Sequence, residues 1–64
     1  MKVAFAGLGV MGFPMAGHLA KAGHEMAVFN RSPEKAHRWV AANGGRAGES
    51  VAQAAEGVEV FILC

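Results

Sequence analysis

Apolar residues along the chain are grouped in short runs, which glycine-rich or polar breaks separate. Residues 2–6, Lys-Val-Ala-Phe-Ala, are apolar without alternation, which is typical of a parallel-sheet strand covered on both faces. We predict a second strand at residues 24–30, a weak third at residues 46–49 and a strongly apolar fourth at residues 58–64.

Three helices are predicted between these strands. The first begins at about Val10, because Met11, Met15 and Leu19 recur at four-residue spacing and form an apolar stripe. It ends at Gly23, since glycine most readily adopts the left-handed conformation that follows many helices.

The second helix is predicted to start at residues 32–33, where serine is the N-cap and proline the first helical residue. It ends at the Asn-Gly-Gly of residues 43–45, and its buried face consists of Ala36, Trp39 and Val40. The third helix starts with a capping-box pattern at residues 50–53 and ends near Gly57.

Strands and helices therefore alternate from the first strand to the fourth. With short connections, this βαβαβαβ order predicts an α/β fold in which helices flank a parallel sheet. The chain stops at the end of an apolar strand, so we expect residues 1–64 to be part of a domain at the front of a longer protein.

A glycine-rich turn, Gly7-Leu8-Gly9-Val10-Met11-Gly12, joins the first strand to the first helix. This is the GxGxxG pattern of Rossmann dinucleotide-binding domains, and its place between a strand and a helix supports that interpretation. Gly7 permits the tight turn, Gly9 lets the backbone approach a pyrophosphate, and Gly12 lets the helix pack closely on the strand. Free amides of the first helical turn then face the phosphates. The alternative is a turn that only packs the helix on the sheet.

The end of the second strand bears on the choice between NAD and NADP. NAD-binding domains place an Asp or Glu about 20 residues beyond the glycines, where it accepts hydrogen bonds from the ribose. Asn30 stands there, Arg31 and Ser32 follow, and all five acidic residues of the chain are glutamates. With no carboxylate to repel it, the 2′-phosphate of NADP can bind the planar donor fork of Arg31, with Lys35 and Arg38 as further candidates. The alternatives are a solvated Arg31 and use of both NADP and NAD.

Composition excludes several other classes of function. The 64 residues are 53% hydrophobic with a formal net charge of +1, so neither nucleic acid nor a membrane is an expected partner. The single cysteine permits no internal disulfide and fits a cytoplasmic location. The three histidines show no metal-ligand spacing, so we predict no metal site.

Three segments carry a family resemblance: Gly-Leu-Gly-Val-Met-Gly-Phe-Pro-Met-Ala at residues 7–16, Leu-Ala-Lys-Ala-Gly-His at 19–24, and Val-Phe-Asn-Arg-Ser at 28–32. In these segments the chain resembles the β-hydroxyacid dehydrogenase family, which includes 3-hydroxyisobutyrate dehydrogenase and 2-hydroxy-3-oxopropionate reductase. The resemblance implies an enzyme that transfers a hydride between NADP(H) and a small β-hydroxyacid or its semialdehyde.

The resemblance also implies roles for particular residues. Backbone groups from Leu8 to Met11, Val10 included, would contact the pyrophosphate. Asn30, Arg31 and Ser32 would contact the 2′-phosphate, and Cys64 would approach the ribose through its backbone. The catalytic lysine and the substrate-binding serine-glycine loop of the family lie beyond residue 64, so we expect no catalytic residue here. The full-length enzyme is expected to be a homo-oligomer.

Other functions stay open at this point. The related 6-phosphogluconate dehydrogenases also carry Asn-Arg after the second strand, but they usually have alanine in place of the middle glycine and lack the Pro-Met-Ala of residues 14–16. Imine reductases share the domain as well. A non-catalytic nucleotide-sensing module is an alternative of another class.

Overall fold

The computed structural model describes residues 1–9 and 11–63, which form a four-stranded parallel sheet flanked by helices. Its elements are β1 (Lys2–Ala6), α1 (Gly12–Lys21), β2 (Glu25–Phe29), α2 (Pro33–Asn43), β3 (Arg46–Ala47), α3 (Val51–Ala55) and β4 (Val60–Leu63). The predicted α/β class and element order are confirmed.

Three strands are shorter than expected: β2 lacks His24 and Asn30, one residue at each predicted end. β3 ends at Ala47 rather than Glu49, and β4 begins at Val60 rather than Val58. The Val58 amide donates to the Ala55 carbonyl at 3.3 Å, so Val58 closes the turn after α3 instead of pairing in the sheet. The predicted end of β4 at Cys64 lies outside the described residues.

The strand order is β3-β2-β1-β4, and each neighbouring pair is parallel. The chain therefore winds in one direction from β1 to β3 and then returns across the sheet to β4. Helices α1 and α2 cover one face, and α3 covers the other. Crossovers between parallel strands are right-handed. Because the chain moves in the opposite direction along the sheet when it returns to β4, the helix before β4 lies on the opposite face.

The two faces of the sheet carry side chains of different size. Val3 and Phe5 of β1 pack toward α1 and α2 in a cluster that includes Trp39. Ala4 and Ala27 pack against Ala54 of α3. Burial on both faces explains why β1 shows no polar alternation, and the alanines let the short α3 lie close to the sheet.

Trp39 joins the two helices that share a face. Its side chain is fully buried, and its indole Nε1 donates to the Phe13 carbonyl at 3.1 Å. Ala36 is buried beside it and Val40 is half-buried, so the predicted inner face of α2 is confirmed.

The predicted apolar stripe of α1 is wrong in two of its three residues. Met11 is 69% exposed and Met15 is 46% exposed, and only Leu19 contacts the core. The helix instead packs through its small residues Gly12 and Ala16, because close approach to the sheet excludes long side chains there. It begins at Gly12 in the described residues, and the expected start at Val10 falls outside them.

Both ends of α3 have side-chain partners. The Ser50 Oγ accepts from the Gln53 amide at 3.0 Å. This is one of the two reciprocal hydrogen bonds of the predicted capping box, and it is confirmed. At the other end, the Arg46 guanidinium donates to the carbonyls of Gln53, Ala54 and Glu56 at 3.1, 3.3 and 3.2 Å. Arg46 thus ties β3 to the C-terminus of α3, where a cation is also favoured by the helix dipole.

None of the helices in residues 1–9 and 11–63 has the length and apolar character needed to cross a membrane.

Gly12 sets how closely α1 approaches β1. A Cβ at this position would overlap the Gly7 carbonyl oxygen and come within 3.1 Å of the Phe5 ring. A Cβ at Gly17, one and a half turns further along the same helix, would make an ordinary contact of 3.4 Å with Asn43.

We therefore predict opposite effects of the same substitution at these two glycines. Gly12→Ala should lower the free energy of unfolding by roughly 1–3 kcal/mol, because the helix must move off the strand. Gly17→Ala should raise it by up to about 1 kcal/mol, since alanine favours the helix. Urea denaturation of both variants measures this, and an unchanged midpoint for Gly12→Ala would contradict the close packing.

Candidate functional site

The candidate site lies beyond the carboxyl end of β1. Here the chain leaves β1 for a helix on one face, while the neighbouring β4 arrives from a helix on the other face. Ligands of open parallel sheets bind outside the carboxyl ends of the strands at such a reversal. The glycine-rich turn that follows Ala6 occupies this position.

The end of β2 holds the first two residues of the turn. The Gly7 amide donates to the Phe29 carbonyl at 2.9 Å, and the Leu8 amide donates to the Asn30 Oδ1 at 2.9 Å. Gly7 has a φ of 98°, a conformation that favours glycine, and the Leu8 side chain is fully buried. This half of the turn is therefore fixed to the sheet before any ligand binds.

The other half of the turn presents backbone donors. The Gly9 and Met11 carbonyls accept hydrogen bonds from the amides of Phe13 and Met15, at 3.0 and 3.3 Å. These bonds close the first turn of α1. Among the hydrogen bonds between described residues, none has the amide of Gly9, Met11 or Gly12 as donor. The first turn of α1 also has no acidic side chain, so these amides and the helix dipole together favour an anion.

Gly9 leaves room beside the turn for such an anion. It is exposed, and a Cβ built on it would find nothing within 4 Å. Its φ lies outside the left-handed range, so backbone conformation does not require glycine at this position. The open space beside a row of amides fits the diphosphate of a dinucleotide.

The segment after β2 is predominantly basic. Arg31 and Ser32 are exposed, Lys35 is half-buried, and the Lys35 amide donates to the Ser32 carbonyl at 3.1 Å. Ser32 is the N-cap of α2, as predicted, but its hydroxyl makes no capping hydrogen bond. Glu34 is exposed and is the sole acidic side chain of the first turn of α2.

Asn30 connects the two parts of the site. Its Oδ1 accepts from the Leu8 amide in the glycine turn, and its Nδ2 donates to the Ser32 carbonyl at 3.2 Å. Sequence reasoning assigned Asn30 to the ligand and missed this connection. The available signal was the side chain itself, since a carboxamide both donates and accepts at short reach.

The structure thus brings most of the predicted site residues to one edge of the sheet. They are Gly7, Leu8, Gly9, Met11, Gly12 and, on the adjoining loop, Asn30, Arg31 and Ser32. Val10 and Cys64 lie outside the described residues, so their predicted contacts stay predictions. In the part of the chain that the structure describes, no group of three or more His, Cys, Asp or Glu side chains could hold a metal ion.

A cavity of about 500 Å³ lies at the opposite end of the sheet. Lys2, Glu25 and Arg46, at the beginnings of three strands, belong to its lining. It is separate from the glycine turn and takes no part in the candidate site.

Several curated proteins similar to this chain are named as oxidoreductases. An uncharacterized oxidoreductase of Shewanella frigidimarina is 52% identical over 63 residues, which cover 98% of this chain and 22% of that protein. The 3-hydroxyisobutyrate dehydrogenase of Pseudomonas aeruginosa is 47% identical over 60 residues, covering 94% of this chain and 20% of that enzyme. The chain therefore spans about a fifth of the length of these relatives.

Solved structures give the same result. An imine reductase from a Pseudomonas species superposes with a TM-score of 0.89 at 35% identity, over 98% of this chain and 22% of that one. The reductive aminase of Aspergillus terreus, in a complex with NADPH and ethyl levulinate, superposes with a TM-score of 0.85 at 32% identity over the same shares of the two chains.

The family model described as the NAD binding domain of 6-phosphogluconate dehydrogenase matches residues 2–64. That match takes in every element from β1 to β4 as well as the glycine turn and the Asn30–Ser32 segment. The chain belongs to this family of NAD-binding domains, and its relatives include 3-hydroxyisobutyrate dehydrogenase.

Proposed function

We propose that this chain is the dinucleotide-binding part of an oxidoreductase that transfers a hydride between NADP(H) and a small β-hydroxyacid or its semialdehyde. The observation that carries the proposal is the pairing of two anion-binding features at one edge of the sheet. These are the amides of Gly9, Met11 and Gly12, which donate to no group among the described residues, and the basic segment that Asn30 ties to the turn.

The diphosphate is assigned to the glycine turn. The amides of Gly9, Met11 and Gly12 donate to it, with the positive end of the α1 dipole behind them. The Leu8 amide was also predicted to contact the diphosphate, but it already donates to Asn30. Any role of Leu8 therefore depends on its position in the turn rather than on a free N–H.

The 2′-phosphate is assigned to the segment after β2. Arg31 is exposed and directly follows Asn30, which is hydrogen-bonded to the glycine turn. Arg31 therefore lies at the same edge of the sheet as that turn. Ser32 has a hydroxyl that caps nothing, and Lys35 adds positive charge on the first turn of α2. No aspartate or glutamate occupies residues 30–32, where a carboxylate would repel the phosphate.

The nicotinamide supplies the hydride chemistry, and the protein has to orient and polarise the substrate. Because the relatives are about five times as long, we assign that task to a C-terminal helical domain beyond this chain. Cys64 is proposed to approach the ribose through its backbone. A cytoplasmic homo-oligomer is the form in which we expect the full-length enzyme.

Reduction of an imine is the second candidate reaction, since the imine reductase superposes on nearly the whole chain. Assays of the full-length protein with NADPH distinguish the two, with a β-semialdehyde and a cyclic imine as alternative substrates. Oxidation of NADPH with the semialdehyde supports the leading proposal, and oxidation with the imine alone supports the second. Calorimetric titration of the same protein with NADP and NAD tests dinucleotide binding by itself, and binding of neither would refute both candidates.

Substitution at Gly9 should separate binding from folding. Gly9→Val is expected to weaken binding of NADP and NAD alike by about tenfold or more, because its side chain fills the space assigned to the diphosphate. The unfolding midpoint should stay unchanged, since a Cβ there meets nothing within 4 Å. Calorimetry and thermal denaturation measure the two effects. Ala42→Val, which adds bulk at an exposed position of α2, is the control; it should leave both affinities unchanged and lower the midpoint only slightly, because valine favours a helix less than alanine does. Wild-type affinity in Gly9→Val would sink the diphosphate assignment.

Arg31→Asp should reverse the preference between the two cofactors. The charge-assisted hydrogen bonds to the 2′-phosphate are lost and a repulsive carboxylate takes their place, so NADP binding should fall by roughly 100-fold. NAD binding should change by less than about threefold, because NAD has a hydroxyl at that position. Titrations with both cofactors measure the difference. Lys21→Asp at the far end of α1 makes the same change of charge and should affect neither. Equal losses for NADP and NAD in Arg31→Asp would refute the assignment.

A further inference from the structure

Leu8 is the residue at which the glycine turn is held to the protein interior. Its side chain is fully buried, and its backbone amide is partly buried with a carboxamide oxygen as acceptor. A buried amide without an acceptor is costly, so this hydrogen bond bears directly on the conformation of the turn. The acceptor, Asn30, is 22 residues away in the sequence.

The orientation of the Asn30 carboxamide follows from its two partners. An amide N–H faces one end, which must therefore be the oxygen, and a carbonyl faces the other end, which must be the nitrogen. Aspartate has nearly the same shape and could accept from Leu8, but it could not donate to the Ser32 carbonyl. Alanine could do neither. Asparagine at this place forms hydrogen bonds with both the Leu8 amide and the Ser32 carbonyl through one neutral side chain.

We infer that Asn30 is a positioning residue that holds the diphosphate-binding turn and the 2′-phosphate-binding loop in register, rather than a ligand of the 2′-phosphate. This inference rests on the proposed dinucleotide function and assigns Asn30 a role different from the one that the family resemblance implies. The Asn30 Oδ1 accepts one hydrogen bond within the protein and its Nδ2 donates one, so each end of the carboxamide is directed at a loop of the chain itself. If Asn30 only contacted the 2′-phosphate, its loss would not affect binding of NAD, which lacks that phosphate. If Asn30 positions the turn that holds the diphosphate, its loss should weaken binding of both cofactors.

The test combines amide hydrogen exchange with affinities for NADP and NAD, measured on the full-length protein. In Asn30→Ala, exchange at the Leu8 amide should accelerate by about tenfold or more, while exchange at Val28 in the centre of β2 stays slow. Affinities for NADP and NAD should fall together, by about tenfold and by the same factor. Asn43→Ala is the matched control. Its carboxamide donates to the Trp39 carbonyl at 3.1 Å near the end of α2, so both affinities should stay at the wild-type values.

Asn30→Asp supplies a second variant that preserves the fold of the turn. It keeps the hydrogen bond from Leu8 and loses the one to Ser32, so slow exchange at Leu8 should be retained. NADP affinity should fall by a larger factor than NAD affinity, because the new carboxylate is near the 2′-phosphate. Loss of NADP binding alone in Asn30→Ala would overturn the inference and make Asn30 a ligand. Unchanged exchange at Leu8 in Asn30→Ala would overturn it as well. Failure of the wild-type protein to bind either dinucleotide would instead refute the proposed function, and the exchange at Leu8 would still report on the hydrogen bond.

Discussion

The close contact between Gly12 and the Gly7 carbonyl is the constraint on which the site depends. It lets the first turn of α1 lie against the end of β1, where a side chain on residue 12 would push the helix away. The amides of that turn are thereby placed at the carboxyl edge of the sheet, and the reversal of strand order opens the space in front of them. Local packing and topology therefore point to the same proposed anion site.

The two faces of the sheet differ in the size of the side chains that cover them. Large side chains such as Phe5 and Trp39 fill the space under α1 and α2, and the Trp39 indole donates to the α1 backbone. Alanines fill the narrow layer under α3. The helix that follows the glycine turn thus lies on the face with the larger buried side chains.

Much of this architecture could be predicted from the sequence. The limits of β1, the inner face of α2 and the left-handed end of α1 at Gly23 follow from apolar runs and from glycine chemistry, and the structure confirms them. The exposed methionines of α1 could not be predicted by counting apolar residues. Periodicity finds large side chains, whereas this helix packs through Gly12 and Ala16.

The candidate site was only partly predictable for a related reason. The glycines of the turn can be predicted from the GxGxxG motif. The absence of a carboxylate at the end of the second strand favours a site for the 2′-phosphate, and both predictions need only nearby residues. The hydrogen bond from Leu8 to Asn30 joins residues that are far apart in sequence, so it appears only once β1 and β2 are paired. The strand ends are difficult for the same reason, since partners in the neighbouring strand decide where pairing stops.

The most direct measurement of the central claim is a crystal structure of the full-length protein with NADP bound. The account predicts that diphosphate oxygens lie within hydrogen-bond distance of the amides of Gly9, Met11 and Gly12, with the 2′-phosphate against the Arg31 guanidinium. The Leu8 amide should still donate to Asn30. A diphosphate bound away from the glycine turn, or a 2′-phosphate in solvent with Arg31 pointing elsewhere, would contradict it.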